Sequence, residues 1–294
     1  MNQNQTGIQS KAIHWYPGHM AKTRRLIEEN LKLVDVVVEI IDARIPYSGR
    51  NPYFNEMLRK KERLIVMNKY DMADESASKQ WSDYFEGKGI KVVPISCATG
   101  MGINRIMSEA EKLVSDKLER DSEKGRTRTL KLMMIGIPNV GKSSLINKLA
   151  GKASTITGNK PGVTRGKQWI RLKGNCELLD TPGILPQKFT NERVAENLAL
   201  TGAVKDEIIN TELLSYKLIE YLQKHYEEEL KARYKITEDI SSFETFELIE
   251  LIGKKRGFVI SGGETDTERA AKMIIDEFRN CKIGRITLER PEEF

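Results

Sequence analysis

Asn68-Lys69-Tyr70-Asp71 precedes Gly136-Ile137-Pro138-Asn139-Val140-Gly141-Lys142-Ser143 in this chain, and Asp180-Thr181-Pro182-Gly183 follows both. The middle run lies behind the apolar stretch Leu130–Ile135 and ahead of a helical pattern, the strand, glycine-rich loop and helix start that cradles phosphates. Asn-Lys-x-Asp is the guanine-reading element of such sites, and where both occur it usually comes after the phosphate-binding elements. Here the order is inverted, so a sheet that unites them is circularly permuted. A doubly wound sheet needs its strands in the right places, not in one chain order, and nearby surface termini let a chain be rejoined and reopened elsewhere. Arg120–Thr129, polar and without an apolar period, reads as the loop that rejoins the former ends. The new break falls just after Gly183, so whatever follows is pulled directly by the segment that senses a terminal phosphate.

Short β-branched runs at Val34–Ile41, Leu64–Met67, Val92–Ile95, Leu130–Ile135, Gln168–Leu172 and Cys176–Leu179 read as strands. Helical patterns near 20–32, 52–60, 74–86, 102–119 and 142–150 lie between most of them, as βα units of a largely parallel sheet require. Only Lys173-Gly174-Asn175 separates the last two strands, which predicts an antiparallel hairpin at one edge. Beyond about residue 190 strand signals fade, and helical spacing appears near 191–203, 212–230, 241–252 and 265–279. In the last of these Thr265 and Glu268 have the spacing of a capping box. The expectation is an α/β fold: a circularly permuted P-loop domain over 1–187 with a mostly parallel sheet, then a small all-helical C-terminal domain over 188–294.

In the glycine-rich loop, backbone N–H groups at a helix N-terminus hold phosphate oxygens, Lys142 reaches the β- and γ-phosphates, and the Ser143 hydroxyl ligates Mg²⁺. Asn139, Val140, Gly141 and Ser144 complete that cradle. Asp180 ends an apolar strand where a carboxylate meets Mg²⁺ through water, and the Gly183 N–H meets the γ-phosphate. The Asp71 carboxylate accepts from guanine N1–H and N2–H₂; adenine has no matching donors, and each unmade buried bond costs about 1–3 kcal/mol. That favours GTP over ATP. Lys69 lies along the base, Asn68 braces the loop, and Ser96-Cys97-Ala98 offers a backbone N–H to guanine O6. Taken alone, Asn-Lys-x-Asp and Asp-Thr-Pro-Gly are also ordinary turn sequences; together with the P-loop they make one site.

Thr164, in Pro161-Gly162-Val163-Thr164, lies where a switch loop brings a threonine to Mg²⁺ and γ-phosphate, although a plain solvated loop has the same composition. Ile184 stands where many GTPases place a water-orienting glutamine, and an apolar side chain cannot do that work. If Val34–Ile41 follows the second switch helix of an unpermuted chain, Pro17-Gly18-His19 approaches the γ-phosphate and His19 is the candidate to position water. Packing, or a partner surface, is the other reading of His19.

Residues 1–190 hold 32 Lys and Arg against 20 Asp and Glu, and residues 191–294 hold 16 against 22. A basic front half suits a polyanionic partner, while the acidic remainder argues against nucleic acid covering that whole domain. Cys97, Cys176 and Cys281 are isolated, without the spacing of a disulfide framework or zinc site. The start has no apolar signal segment, and charged residues interrupt Leu31–Ala43, the most apolar stretch. The expectation is a soluble cytoplasmic protein that binds no membrane and is monomeric.

With these residues assembled, the chain resembles the RbgA/YlqF family of circularly permuted GTPases. The resemblance rests on Trp15-Tyr16-Pro17-Gly18-His19-Met20-Ala21-Lys22, Asp42-Ala43-Arg44-Ile45-Pro46, Asn68-Lys69-x-Asp71, the P-loop, Pro161-Gly162-Val163-Thr164 and Asp180-Thr181-Pro182-Gly183-Ile184. It extends more loosely to Gly253-Lys254-Lys255-Arg256-Gly257 and the helix at 265–279. It implies a GTP-hydrolysing factor acting on the precursor of the large ribosomal subunit and its rRNA. It also implies a K⁺ ion near Asn139, and it supports His19 in water positioning. A GTP-gated RNA-binding scaffold with little turnover stays open because of Ile184, and an ATP-dependent P-loop enzyme is disfavoured by Asp71.

Overall fold

The computed structural model describes residues 17–151, 169–172, 174–183, 185, 191–204 and 210–294, with the side chains of 17–23 left out. Helix α1 spans Pro17–Leu31, and the strands are β1 (Val36–Asp42), β2 (Glu62–Asn68), β3 (Lys91–Pro94), β4 (Leu130–Gly136), β5 (Trp169–Arg171) and β6 (Cys176–Asp180). Among the described residues they form one sheet in the order β3-β2-β1-β4-β6-β5. Only the β5–β6 hairpin is antiparallel. β1 and β4 pair side by side, with Val38 opposite Met134. That pairing sets the base-reading half against the phosphate-binding half, as the inverted motif order requires.

Every residue of β1 is buried, which is why Val36-Val37-Val38-Glu39-Ile40-Ile41-Asp42 shows no polar alternation. Alternate side chains serve two faces. Val37 and Met133 pack with Ile27 and Leu31 of α1; Ile41 and Ile65 pack with Trp81 and Phe85 of α3 (Glu75–Gly87). Val36, Val38 and Leu132 face Ile106 of α4 (Arg105–Lys112) and Leu145 of α6 (Lys142–Ala150). Glu39, the acid in the middle of β1, is paired with Arg63 and lies 3.4 Å from Arg50.

After the sheet, the elements among the described residues are mainly helices: α7 (Glu192–Leu200), α8 (Thr211–His225), α9 (Glu227–Tyr234), α10 (Thr245–Lys255) and α11 (Thr267–Arg279). Leu198, Leu218, Ile252 and Ile274 join the same apolar core as the sheet's second face. Residues 283–294 then run back to the sheet. The Ile286 N–H donates to the Met72 carbonyl at 3.1 Å, and the Leu288 N–H to the Arg44 carbonyl at 2.8 Å. Glu289, fully buried, accepts from the N–H groups of Tyr47 (2.7 Å) and Ser48 (3.0 Å), the Ser48 hydroxyl, and Asn197 Nδ2 (2.9 Å). Burial pushes its carboxyl above the usual range against the pull of those donors.

Several boundaries differ from the sequence reading. The expected helix at 102–119 is two, α4 and α5 (Ser115–Glu123), because Val114 leaves helical geometry to bury its side chain. α5 continues through Arg120–Glu123, so the rejoining loop is only 124–129; straight-chain helix formers extend the helix although none of its residues is buried. Tyr226 divides the expected 212–230 helix, and its hydroxyl donates to Asp74 Oδ2 at 3.0 Å. α11 is capped by Asp266, which accepts from the Arg269 N–H at 3.0 Å, not by Thr265, which is buried in a bridge to Val259. The predicted 52–60 helix shortens to α2 (Tyr53–Met57).

Candidate guanine-nucleotide site

The three elements converge at the C-terminal ends of β1, β2, β4 and β6, where open parallel sheets hold their ligands. Asn68 ends β2 and is 2% exposed. Its Nδ2 donates to the Val140 carbonyl of the phosphate loop at 2.8 Å, and its Oδ1 accepts the Cys97 N–H at 3.0 Å. One carboxamide therefore ties the base-reading turn, the P-loop and the Ser96-Cys97-Ala98 loop together. Gly141, with φ +96°, leaves room for it: a Cβ there would collide with Asn68 Nδ2. Gly136 fits as closely, since a Cβ would lie 2.7 Å from the Ile40 carbonyl oxygen.

Asp71 lies half-buried in the tight turn Tyr70–Met72. Lys69 enters that turn in the left-handed region, φ +60°, and its ammonium meets Asp42 Oδ2 at 2.8 Å. The same carboxylate takes Arg44 through Nε (3.0 Å) and Nη2 (2.9 Å). Burial works against the Asp42 charge, but Arg44 and Lys69 together hold its carboxyl well below the usual range. Ser96 is buried with its hydroxyl accepting the Thr99 N–H at 3.1 Å, which shapes the loop that exposes Ala98. Burial pushes the Cys97 thiol up to about 11, so it remains protonated at neutral pH.

On the phosphate side, Lys142 and Ser143 open α6, with Ser143 and Ser144 exposed. Lys142 is ion-paired with Asp180 across the loop. Gly183 packs against the P-loop, where a Cβ would lie 3.1 Å from the Pro138 nitrogen. The Thr181 hydroxyl donates to the Met134 carbonyl at 2.6 Å, pinning the start of that segment. Asn139, also left-handed at φ +58°, donates from Nδ2 to the Gly202 carbonyl at 2.7 Å. Lys142, Ser143 and Asp180 thus share one corner, the donor set of a hydroxyl and a carboxylate that suits Mg²⁺.

Thr164 and Ile184 lie outside the described residues. His19 falls in the first turn of α1, which begins at Pro17 and not after His19, and its side chain lies outside the described ones. The Lys254-Lys255-Arg256 run is exposed at the end of α10, but Glu250, Glu238 and Glu277 lie within 3.6, 3.4 and 3.5 Å of its three charges. Its field is weaker than the sequence run suggests. The role of Asp42 as the anchor of Lys69 was not read from the sequence, although an acid closing an apolar strand, two residues before an arginine, was the available sign. Among the described residues no helix is long and apolar enough to cross a membrane.

Comparison with known proteins agrees with this geometry. Residues 131–252 match the protein-family model described as 50S ribosome-binding GTPase, and residues 55–190 match the RsgA GTPase model. A protein of Bacillus cereus named ribosome biogenesis GTPase A is 46% identical over 286 residues, covering 96% of this chain and 95% of that protein. Its namesake in Thermotoga maritima is 35% identical over 281 residues, covering 96% of this chain and 95% of that protein. Among solved structures, a GDP-bound YlqF superposes with a TM-score of 0.64 at 30% identity, covering 91% of this chain and all of the other. The GNP-bound YlqF of T. maritima gives 0.62 at the same identity, covering 92% of this chain and 99% of the other. With its base reader ahead of its phosphate loop and both braced by Asn68, the chain belongs to the RbgA/YlqF family of circularly permuted ribosome biogenesis GTPases.

Proposed function

We propose that this protein is a GTP-hydrolysing assembly factor for the large ribosomal subunit, binding the precursor particle in the GTP state and leaving after hydrolysis. The observation that carries the reading is the Asn68 carboxamide, which links base-reading and phosphate-binding loops. The basic balance of residues 1–190 suits rRNA as the particle's recognised surface. In this reading residues 1–187 form the GTPase domain, 188–294 contact the ribosome, and a cytoplasmic monomer does the work.

Asp71 accepts two guanine donors while Asp42 holds Lys69 along the base. Ser96, Cys97 and Ala98 close the base pocket, with a backbone N–H toward O6. Asn139 to Ser144 hold the phosphates through backbone N–H groups, and Lys142 exchanges Asp180 for the β- and γ-oxygens. Ser143, Thr164 and Asp180 would hold Mg²⁺, which neutralises charge that develops on the phosphates. Gly183 donates its N–H to the γ-phosphate. His19 orients the attacking water in place of the missing glutamine. A K⁺ ion would take the Asn139 carboxamide oxygen, since its nitrogen already donates to Gly202.

The test is GTP hydrolysis with and without purified large ribosomal subunits, in K⁺ and in Na⁺, for the wild type and His19→Ala. Strong stimulation by subunits, lost in the variant with nucleotide binding kept, is the expected result. Background hydrolysis under every condition would sink the enzymatic reading in favour of a GTP-gated scaffold. Competition by excess ATP against labelled GTP would sink guanine selectivity.

A further inference from the structure

The two halves of the nucleotide site are joined twice. The short route is Asn68 to Val140. The long one leaves the GTPase core: Arg44, held by Asp42, donates from Nη1 to the Arg279 carbonyl at 3.4 Å, where α11 ends. The Arg279 side chain then turns to the end of α7, donating from Nε to the Leu200 carbonyl (3.0 Å) and from Nη2 to the Ala199 carbonyl (2.8 Å). Two residues on, the Gly202 carbonyl accepts Asn139 of the P-loop. The circuit runs Lys69, Asp42, Arg44, Arg279, the α7 C-terminus, Gly202 and Asn139. It starts and finishes at the ligand and passes through the helical region.

We infer that Arg279 is a positioning residue for nucleotide binding. Carbonyls at a helix C-terminus have no intrahelical donors; the guanidinium supplies one to Leu200 and adds a charged donor to Ala199, whose carbonyl also accepts the Gly202 N–H at 3.0 Å. Arg279 thereby braces the turn at Gly202, which the Gly202 N–H to Ala199 and Ala203 N–H to Leu198 bonds also close and whose φ of +75° places the carbonyl that Asn139 uses. Through its own backbone carbonyl it also gives Arg44 a second partner beyond Asp42. Asn139 on the phosphate side and Lys69 on the base side are thus held in register by one residue that touches neither. Coupling is reciprocal, so nucleotide binding holds the α7–α11 junction in turn. The inference rests on the reading of this site as a guanine-nucleotide site.

A double-mutant cycle on the full chain tests it, with fluorescent GDP as the probe and equilibrium affinity and dissociation rate as the readouts. Arg279→Met is expected to weaken GDP binding about tenfold, Asn139→Ala by a similar factor, and the double variant by little more than the worse single. Arg279→Lys, which keeps the charge but not the two-pronged donor, is expected to restore part of the affinity. If Arg279→Met does not melt cooperatively, Arg279→Lys takes its place in the cycle. Losses that multiply would show that Arg279 and Asn139 act independently and would overturn the inference. Failure of the wild type to bind GDP would instead remove the nucleotide reading on which it rests.

Discussion

Asn68 Nδ2 donates to the Val140 carbonyl at 2.8 Å across a sequence separation of 72 residues. It is buried on both sides, so removing the carboxamide leaves the Val140 carbonyl and the Cys97 N–H without partners. Asn68→Ala is expected to cost about 1–3 kcal/mol of stability. GTP and GDP affinity should fall together by at least about tenfold, roughly 1.4 kcal/mol. Urea denaturation and nucleotide titration read the two effects; unchanged affinity would mean that the loops keep their places without Asn68.

Gly141→Ala meets two obstacles at once, a left-handed backbone and Asn68 Nδ2 in the space a Cβ needs. The expected outcome is lost nucleotide binding with destabilisation of at least about 1 kcal/mol. Gly125→Ala is the control: φ is also positive, +66°, but no atom lies within 4 Å of a Cβ there. It should lose stability and keep its affinity for GDP, measured by titration.

Asp42 supplies a pH test whose sign is fixed by its surroundings. Its carboxyl is depressed in the folded protein, so its contribution is present above the ordinary aspartate value of about 3.9 and lost as pH falls below it. Asp42→Asn leaves Arg44 and Lys69 without their buried counter-charge, a loss of about 3–5 kcal/mol at neutral pH. The gap to wild type should shrink as the wild type is itself titrated below about pH 4. Chemical denaturation at a series of pH values checks this; a gap that widens in acid would reverse the assignment.

Glu289 holds the returning segment against the loop after β1. Glu289→Ala strands the N–H groups of Tyr47 and Ser48 and the Asn197 amide, and is expected to lower stability by about 3 kcal/mol or more. Trp81 Nε1 donates to the Glu289 carbonyl at 3.1 Å, so its fluorescence should report the loosening at lower denaturant than global unfolding. A single coincident transition would mean that this segment does not open by itself.

The inverted motif order was enough to specify a permuted parallel sheet, because Leu130–Ile135 and Val34–Ile41 are each dominated by apolar residues, broken only by Lys131 and by Asp35 and Glu39, as in a strand covered on both faces. The P-loop and Asn-Lys-x-Asp were legible for the same reason: their residue types are dictated by local chemistry. Positions set by distant partners were not. Nothing within a few residues of Glu289, Asn197 or Arg279 hints that they meet Ser48, Tyr47 or the end of α7, since those contacts depend on how helices pack. The breaks at Val114 and Tyr226 were missed likewise, because burial of one side chain against another element overrode a helical pattern that was locally sound.

The strand order β3-β2-β1-β4-β6-β5 also sets a timetable for synthesis. β1, β2 and β3 leave the ribosome as a three-stranded parallel half-sheet, and the flank of β1 that will receive β4 stays open until residue 136 has emerged. During that interval a largely apolar strand has an unpaired edge, and Asn68 has no Val140 to donate to, so nucleotide cannot stabilise the nascent half. β4 then adds to the open flank of β1, and β5 and β6 add as a hairpin through β6, without parting a pair already made. The permuted chain can therefore assemble outward from β1 as it is made, with a short period of stickiness before the phosphate loop arrives.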